Sequence, residues 1–227
     1  MRPPLVLLPS PLLGPAVWAP VAHVLEVQGW TTIVPTVDPA AISGEEVAQS
    51  FLSALPDDRE VILVPHSNAG LFVPALSSRL ETVGHVFVDA GLPPPEGSVP
   101  LAPESFYEFL DSRADDHGML PPWTQWWGED EAASLFPDDE VRRHVGGEAR
   151  RLPLSYFRGS MPVPGGWSGV PSAYLAFGDG YAEERDRASG LGWPVRTLTG
   201  PHLHLLFEPA EVANTISSLL ASLGLHG

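Results

Sequence analysis

The chain has 227 residues, enough for one domain that buries a substantial core, with room for an inserted subdomain. Its net charge of −16 argues against nucleic acid or an anionic membrane surface as a partner, because binding phosphate groups requires clustered cations. Cysteine and lysine are absent, which excludes disulfides, thiolate metal sites, cysteine nucleophiles and a lysine Schiff base.

The N-terminal apolar run, Leu5 to Leu8, is short and is followed by Pro9 and Pro11. A secretion signal needs a longer unbroken apolar segment, so we interpret this run as the first core strand and expect a cytoplasmic protein. No stretch of the sequence reaches the roughly 20 apolar residues that span a membrane. The all-arginine basic set, with abundant Ala, Gly and Pro, indicates a GC-rich bacterial genome.

Buried strands alternate with amphipathic helices along most of the chain. Strands are predicted at 5–8, at 30–35, in the run that starts at 61 and ends at the turn around 67, at 86–89, at 172–177 and at 195–198. Helices are predicted at 18–29, at 45–55, after 70, at 182–189 and through 212–220. This alternation predicts an α/β fold with a parallel sheet and right-handed crossovers.

The segment between the fourth and fifth strands has a different character. Prolines crowd both of its ends, and nothing between them has the pattern of a buried strand. Aromatic residues recur at i, i+3 and i+4, as in Trp123, Trp126 and Trp127, which is typical of short helices. We therefore predict a core formed by 1–91 and 170–227 and a helical insertion at 92–169.

A sharp turn in the middle of the chain carries the first candidate for chemistry. The apolar run from Val61 breaks into Pro65-His66-Ser67-Asn68-Ala69-Gly70, and helical spacing follows. A serine on such a strand-turn-helix is raised above the sheet, and the first N–H of the helix, here that of Asn68, points at an oxyanion formed on attack. A serine that only caps the helix is the alternative interpretation.

A serine hydroxyl needs a base, and the base works best when a carboxylate fixes its tautomer. His202 and His204, in the loop after the last strand, are the candidate bases. The candidate acids are Asp179, Asp89 and then Glu183 and Glu184, which the residues alone leave open. A His-x-His zinc site lacks evident further ligands, so we expect no metal and no cofactor.

The stretch around Ser67 resembles the nucleophile elbow of the α/β-hydrolase superfamily, whose usual pattern is Gly-x-Ser-x-Gly. Gly200-Pro201-His202 with Glu208-Pro209 is similar to the ending of that family, which favours His202 over His204. The resemblance implies a mostly parallel sheet with helices on both faces and a small helical cap at the position of the insertion.

In this family the acid commonly follows the strand before the last, as Gly-x-x-Asp, and the nearest match here is Asp179, about two residues out of register. Asp89 is the first alternative, since some members draw the acid from the strand after the elbow helix. The family also often has His-Gly-x after the first strand, with a tryptophan nine residues after the histidine; this chain has Pro9-Ser10-Pro11 and Trp18. Because proline has no N–H, the second oxyanion donor falls to the Leu12 N–H, to the Ser10 hydroxyl, or to neither.

The resemblance implies a serine hydrolase that cleaves an ester, thioester or lactone of a small apolar substrate. Ser67, His202 and Asp179 would act as the triad and Asn68 and Leu12 as oxyanion donors, and the expected pocket residues are the cap aromatics Phe106, Trp123, Trp126 and Trp127. A second hypothesis is a lyase, epimerase or cyclase on a natural-product intermediate, and a third is a binding protein without turnover. The expected partner is a small-molecule substrate, with no nucleic acid and no membrane; a homodimer is left open.

Overall fold

The computed structural model describes residues 2–55 and 59–225. Six strands form one sheet in the order β2-β1-β3-β4-β7-β8, and all neighbours in it are parallel. The strands are β1 (Leu5–Leu8), β2 (Thr32–Ile33), β3 (Val61–Ser67), β4 (Thr82–Ala90), β5 (Gly97–Pro100), β6 (Ser160–Val163), β7 (Ser172–Phe177) and β8 (Val195–Leu198). The predicted mostly parallel α/β sheet is therefore confirmed.

The helices follow the expected alternation in the two outer parts of the chain. They are α1 (Ala19–Val27), α2 (Gly44–Ser53), α3 (Val73–Ser77), α4 (Glu104–Asp111), α5 (Glu129–Ser134), α6 (Asp139–Glu148), α7 (Leu154–Phe157), α8 (Ala182–Gly190), α9 (His204–Phe207) and α10 (Pro209–Ser222). Short 3₁₀ helices lie at Pro15–Val17, Asn68–Phe72, Trp123–Gln125 and Trp167–Gly169. Among the described helices, none is long and apolar enough to cross a membrane.

The sheet order places β3 at the centre, between β1 and β4. Every residue of β1, β3 and β7 is buried, which is why these strands are continuous apolar runs rather than alternating ones. Parallel strands bring their carboxyl ends to one edge, and ligands of open α/β sheets bind in the crevice at that edge. The loops that carry the candidate site residues therefore meet beside the end of β3.

The helix after β3 begins as a 3₁₀ turn, Asn68–Phe72, and becomes α-helical only at Val73. Pro74 lies in the first turn of α3, where its missing N–H costs no intrahelical bond, so the proline coincides with this change of helix type. Gly70 faces the backbone beyond β4: a Cβ on it would lie 2.0 Å from the Gly91 carbonyl oxygen. The glycine one place later than in the family pattern thus allows this close approach.

The chain between β4 and β7 leaves the main sheet and carries α4 to α7, as expected of a helical cap. It also contains an antiparallel pair, β5 and β6, that the sequence did not predict, because the residues of β5 are mostly exposed and include a proline. Side chains of this region contact the core: Glu148 accepts a hydrogen bond from the Ala16 N–H at 2.6 Å, and Arg150 donates to the carbonyls of Pro39 and Ala41. The boundaries at 92 and 169 stay a prediction.

His85 on β4 is fully buried, and this burial makes the stability of the fold depend on pH. Ser172 donates its hydroxyl proton to the Val170 carbonyl, so it accepts from His85 Nδ1–H at 3.0 Å, and Ser77 then donates to Nε2 at 2.9 Å. Burial lowers the pKa of His85 from 6.5 to about 3. The folded protein therefore binds fewer protons at this position than the unfolded chain does, between pH 6.5 and about 3.

We expect the stability that depends on His85 to be complete above about pH 6.5 and to be lost as the pH falls, by about 1.4 kcal/mol per pH unit. His85→Gln cannot be protonated, so its free energy of unfolding should fall less steeply than that of the wild type between pH 6 and 4. Urea denaturation across this range measures both slopes. His23→Gln controls for the loss of an exposed imidazole. Equal slopes in the wild type and His85→Gln would contradict the assignment.

Candidate active site

Three side chains form a continuous hydrogen-bonded chain at the carboxyl edge of the sheet. Ser67, the last residue of β3, lies with its Oγ 2.9 Å from His202 Nε2, and His202 Nδ1 lies 2.6 Å from Asp89 Oδ2. Because the Asp89 carboxylate only accepts, Nδ1 carries the proton and Nε2 is free to accept the proton of Ser67. The imidazole is therefore held in the tautomer that a general base requires.

The backbone at the ends of β3 and β4 is shaped for this arrangement. Ser67 has φ 58° and Asp89 φ 42°, the two non-glycine residues with positive φ in the described chain. Such conformations cost of order 1–3 kcal/mol and persist only where the surroundings enforce them. The Gly91 N–H donates to the Ser67 carbonyl at 3.0 Å and joins the two strained turns.

The structure corrects the expectation that Asp179 completes the triad. Its carboxylate is 90% exposed and pairs with Arg185 at 3.2 Å, whereas Asp89, the first alternative, is fully buried beside His202. The second oxygen of Asp89 accepts the Phe177 N–H at 2.9 Å, so both oxygens are satisfied. Asp179 lies in the turn after β7, where its carboxylate is exposed to solvent.

The competing residues lie elsewhere. His204, at the start of α9, is 6% exposed, packs its ring 5.4 Å from that of Phe177 and reaches Glu211 at 3.4 Å. Glu183 and Glu184, the further candidate acids, lie in the first turn of α8. His202 is thus the histidine that meets Ser67, as the spacing to Pro209 predicted.

His66, which precedes the serine, holds the loop that carries His202. Its Nε2–H donates to the His202 carbonyl at 3.1 Å, and the two imidazole rings stack with centroids 4.7 Å apart. Burial, with the nearby His202 as a second cause, lowers the pKa of His66 well below its ordinary value, so the ring stays neutral. A neutral His66 ring can stack on the His202 ring and does not compete with it for the proton of Ser67.

The two expected oxyanion donors, the N–H groups of Asn68 and Leu12, differ in their hydrogen bonding. Asn68 is the first residue of the 3₁₀ helix after Ser67, so its N–H lies at a helix start, where the backbone donors lack intrahelical partners. The Leu12 N–H instead donates to the Ser10 hydroxyl at 3.3 Å, and Ser10 is buried. The Leu12 N–H is therefore used in a hydrogen bond within the loop after β1, and Pro11 has no N–H to donate.

One group at the site was missed in the sequence: the hydroxyl of Tyr181 lies 3.3 Å from Ser67 Oγ, and its ring centroid is 5.6 Å from that of His202. Burial raises the pKa of Tyr181 to about 12; the Asp89 carboxylate acts in the same direction, and the hydrogen bond to Ser67 opposes them. The sequence feature that could have identified Tyr181 is its position in Gly178-Asp179-Gly180-Tyr181, the turn in which the family commonly carries its acid.

The predicted pocket aromatics divide into two groups. The Trp123 ring lies 6.4 Å from the His202 ring, and Trp127 packs edge-on against Trp123 at 4.5 Å. Trp126 is 2% exposed and packs against Phe106 at 6.0 Å within the cap, so its expected place in the pocket is corrected to a cap-core role. Phe106 is 37% exposed on the outside of that cluster, and no described contact joins it to Ser67 or His202.

A cap residue that the sequence did not single out reaches the elbow. The Tyr156 hydroxyl donates to Asn68 Oδ1 at 3.4 Å, and Asn68 Nδ2 donates to the Leu101 carbonyl at 3.1 Å. The side chain of the residue after the nucleophile is thus fixed by the cap. A surface cavity of about 500 Å³ along α2 includes none of these groups, so the reacting centre is placed by its hydrogen bonds and not by that cavity.

The parallel sheet with helices on its faces and the strained serine turn at the end of its central strand are those of the α/β-hydrolase fold. Solved structures agree. The chain is similar to an extracellular α/β-hydrolase from a Paenibacillus species, with a TM-score of 0.74 at 17% identity over 96% of this chain and 99% of that one. It is also similar to tomato methylketone synthase I, solved as a histidine-to-alanine variant with β-ketoheptanoate, with a TM-score of 0.75 at 14% identity over 98% of both chains.

Polyneuridine aldehyde esterase gives a TM-score of 0.71 at 16% identity, over 98% of this chain and 99% of that one. No protein-family model matches the sequence, and no curated protein matches it significantly. At these identities the likeness establishes the fold, and a fold hosts many reactions. The function must be argued from the site.

Proposed function

We propose that the protein is a serine hydrolase that cleaves an ester, thioester or lactone of a small, largely apolar substrate. The observation that carries this proposal is the hydrogen-bonded chain from Ser67 Oγ through His202 to the buried carboxylate of Asp89. Nucleophile, base and orienting acid stand at the distances and in the tautomer that acyl transfer requires. The esterases among the structural neighbours use the same fold.

The reaction follows from these contacts. Ser67 Oγ attacks the carbonyl carbon while His202 Nε2 takes its proton, and Asp89 stabilises the resulting imidazolium. The Asn68 N–H donates to the developing oxyanion. His202 then gives its proton to the leaving group, and a water molecule, activated by the same imidazole, releases the acyl group and restores Ser67.

The surroundings of the reacting atoms favour an apolar substrate. Trp123 and Trp127 extend an aromatic surface from His202 into the cap, and Tyr181 adds a ring on another side of the imidazole. Ligand sites combine apolar walls with a few placed polar groups, and this site has both.

A fluorophosphonate probe tests the proposal without knowledge of the substrate. The wild-type protein should be labelled stoichiometrically, with the adduct mapped by mass spectrometry to the peptide that contains Ser67. Ser67→Ala should not be labelled, whereas Ser218→Ala, which removes an exposed hydroxyl on α10, should keep Ser67 reactive. Absence of labelling in the folded wild-type protein would overturn the proposal.

The loop after β1 favours a second candidate function, proton transfer in a lyase, epimerase or cyclase. With the Leu12 N–H engaged by Ser10 and no N–H on Pro11, the backbone of this loop supplies neither of the expected N–H donors, and the Ser10 hydroxyl is the second oxyanion donor left to it. Losing one such donor slows acyl transfer by on the order of 100- to 1000-fold. Proton transfer by the Ser67–His202 pair depends less on that donor. Labelling with no turnover of any ester would favour this second function.

A further inference from the structure

Tyr181 makes a hydrogen bond that the triad mechanism does not use. The Ser67 hydroxyl donates to His202 Nε2, so its oxygen is left as an acceptor. The Tyr181 hydroxyl, 3.3 Å away, is therefore the donor of the pair. Its raised pKa keeps it protonated at neutral pH.

The side from which Tyr181 approaches is decided by the sheet order. The loop after β1 and the loop after β7 lie on opposite sides of β3, because the order is β1-β3-β4-β7. Tyr181 follows β7, and its ring lies 5.6 Å from the His202 ring at an interplanar angle of 31°. It therefore lies beside the imidazole, which gives its proton to the leaving group in the proposed reaction, and across β3 from the loop after β1, where the family resemblance places the second oxyanion donor.

We propose that the Tyr181 hydroxyl is a further catalytic group that donates a hydrogen bond to the leaving-group oxygen of the substrate. This inference rests on the proposed hydrolase function. Tyr181 contacts the leaving group of the substrate, and the Asn68 N–H stabilises the oxyanion.

The electron and proton balance is simple. When Ser67 Oγ bonds to the carbonyl carbon it becomes a poorer acceptor, and the Tyr181 O–H turns to the neighbouring leaving-group oxygen. The bond from carbon to that oxygen then breaks, the electron pair stays on the oxygen, and His202 Nε2–H supplies its proton. Tyr181 keeps its own proton and returns to Ser67 Oγ after water has released the acyl group.

A donor to the leaving group matters most where that group develops the most charge. An alkoxide leaving group needs stabilisation, whereas p-nitrophenoxide needs little. Hydrogen bonds to charged groups contribute enough to change a rate by about 10- to 100-fold. Tyr181→Phe should therefore lower kcat/KM by that factor for ethyl and trifluoroethyl esters and by less than about threefold for the p-nitrophenyl ester of the same acid.

The experiment measures kcat/KM for a series of butyrate esters with p-nitrophenyl, phenyl, trifluoroethyl and ethyl leaving groups. The wild type is compared with Tyr181→Phe and with Tyr107→Phe, which removes the same hydroxyl from a cap tyrosine packed under Arg158. A loss in Tyr181→Phe that grows with the basicity of the leaving group, with Tyr107→Phe unchanged, supports the inference. An equal loss across the series, or no loss in any ester, overturns it.

The fluorophosphonate probe separates this inference from the proposed function, because fluoride leaves without strong help. Tyr181→Phe should be labelled within about threefold of the wild-type rate, and its urea midpoint reports whether the fold is kept. A wild-type protein that is labelled, beside a folded Tyr181→Phe protein that is not, overturns the leaving-group role and keeps the hydrolase. A wild-type protein that is neither labelled nor active on any ester overturns both.

Discussion

Replacing Asp89 with asparagine should lower kcat for any ester that the protein turns over by about 10,000-fold, with little change in stability or KM. The amide cannot accept the His202 Nδ1 proton as the carboxylate does, so the imidazole turns to the tautomer that has no lone pair on Nε2. The measurement is steady-state kinetics on an ester, with the folded state checked by urea denaturation.

Asp179→Asn is the matched control, since it makes the same chemical change at the carboxylate that the family register favours. Its side chain is 90% exposed and bound to Arg185, so the variant should retain wild-type kcat. An exposed ion pair is worth at most about 1 kcal/mol, and stability should change little. A loss of activity confined to Asp179→Asn would reverse the assignment of the acid.

Replacing His202 with alanine should have the larger effect, a loss of about a million-fold in kcat, because His202 Nε2 accepts the proton of Ser67 and the neighbouring Tyr181 hydroxyl, whose pKa is raised by burial, is itself protonated. Removing the base of a triad costs about as much as removing all three members together, since they act as a unit. The residual rate should be insensitive to a second substitution at Asp89.

His204→Gln tests the neighbouring histidine. His204 packs against Phe177 and reaches Glu211, so we expect the variant to lose some stability and to keep most of its kcat. Comparable losses in His202→Ala and His204→Gln, measured on folded proteins, would contradict the placement of the base. Non-additivity in the double variant His202→Ala with Asp89→Asn is the second readout.

The sequence predicts the architecture from local features, the runs of consecutive apolar residues along the chain. The strands at 172–177 and 195–198 lie where the sequence predicts them, and β1 matches its apolar run at 5–8. β1 and β7 are buried on both faces, so their apolar runs are visible without any knowledge of neighbours, whereas β8 is a half-exposed edge strand with apolar residues only at its two ends. The pair β5 and β6 escaped prediction because its residues are mostly exposed and its stability comes from pairing.

The serine and the histidine that the structure brings together were both candidates in the sequence. Ser67 ends an apolar run and begins a helix, and His202 follows the last strand at the expected distance from Pro209. These signals depend on the order of elements along the chain, which the sequence records directly. The acid could not be chosen in this way, because Asp89, at the end of β4, and Asp179, just after β7, both belong to strands that end at the same edge of the sheet.

The sequence alone thus predicted the parallel α/β sheet and a serine at the turn after its central strand, since apolar periodicity and turn chemistry are local properties, and the resemblance to the α/β-hydrolases favoured His202 over His204. Tertiary structure alone decided which carboxylate is buried beside His202, that the Leu12 N–H is taken by Ser10, and that Tyr181 lies against Ser67. Those outcomes depend on distances between side chains across four neighbouring strands and on which carboxylate lies next to His202. The spacing of residues along the chain specifies neither.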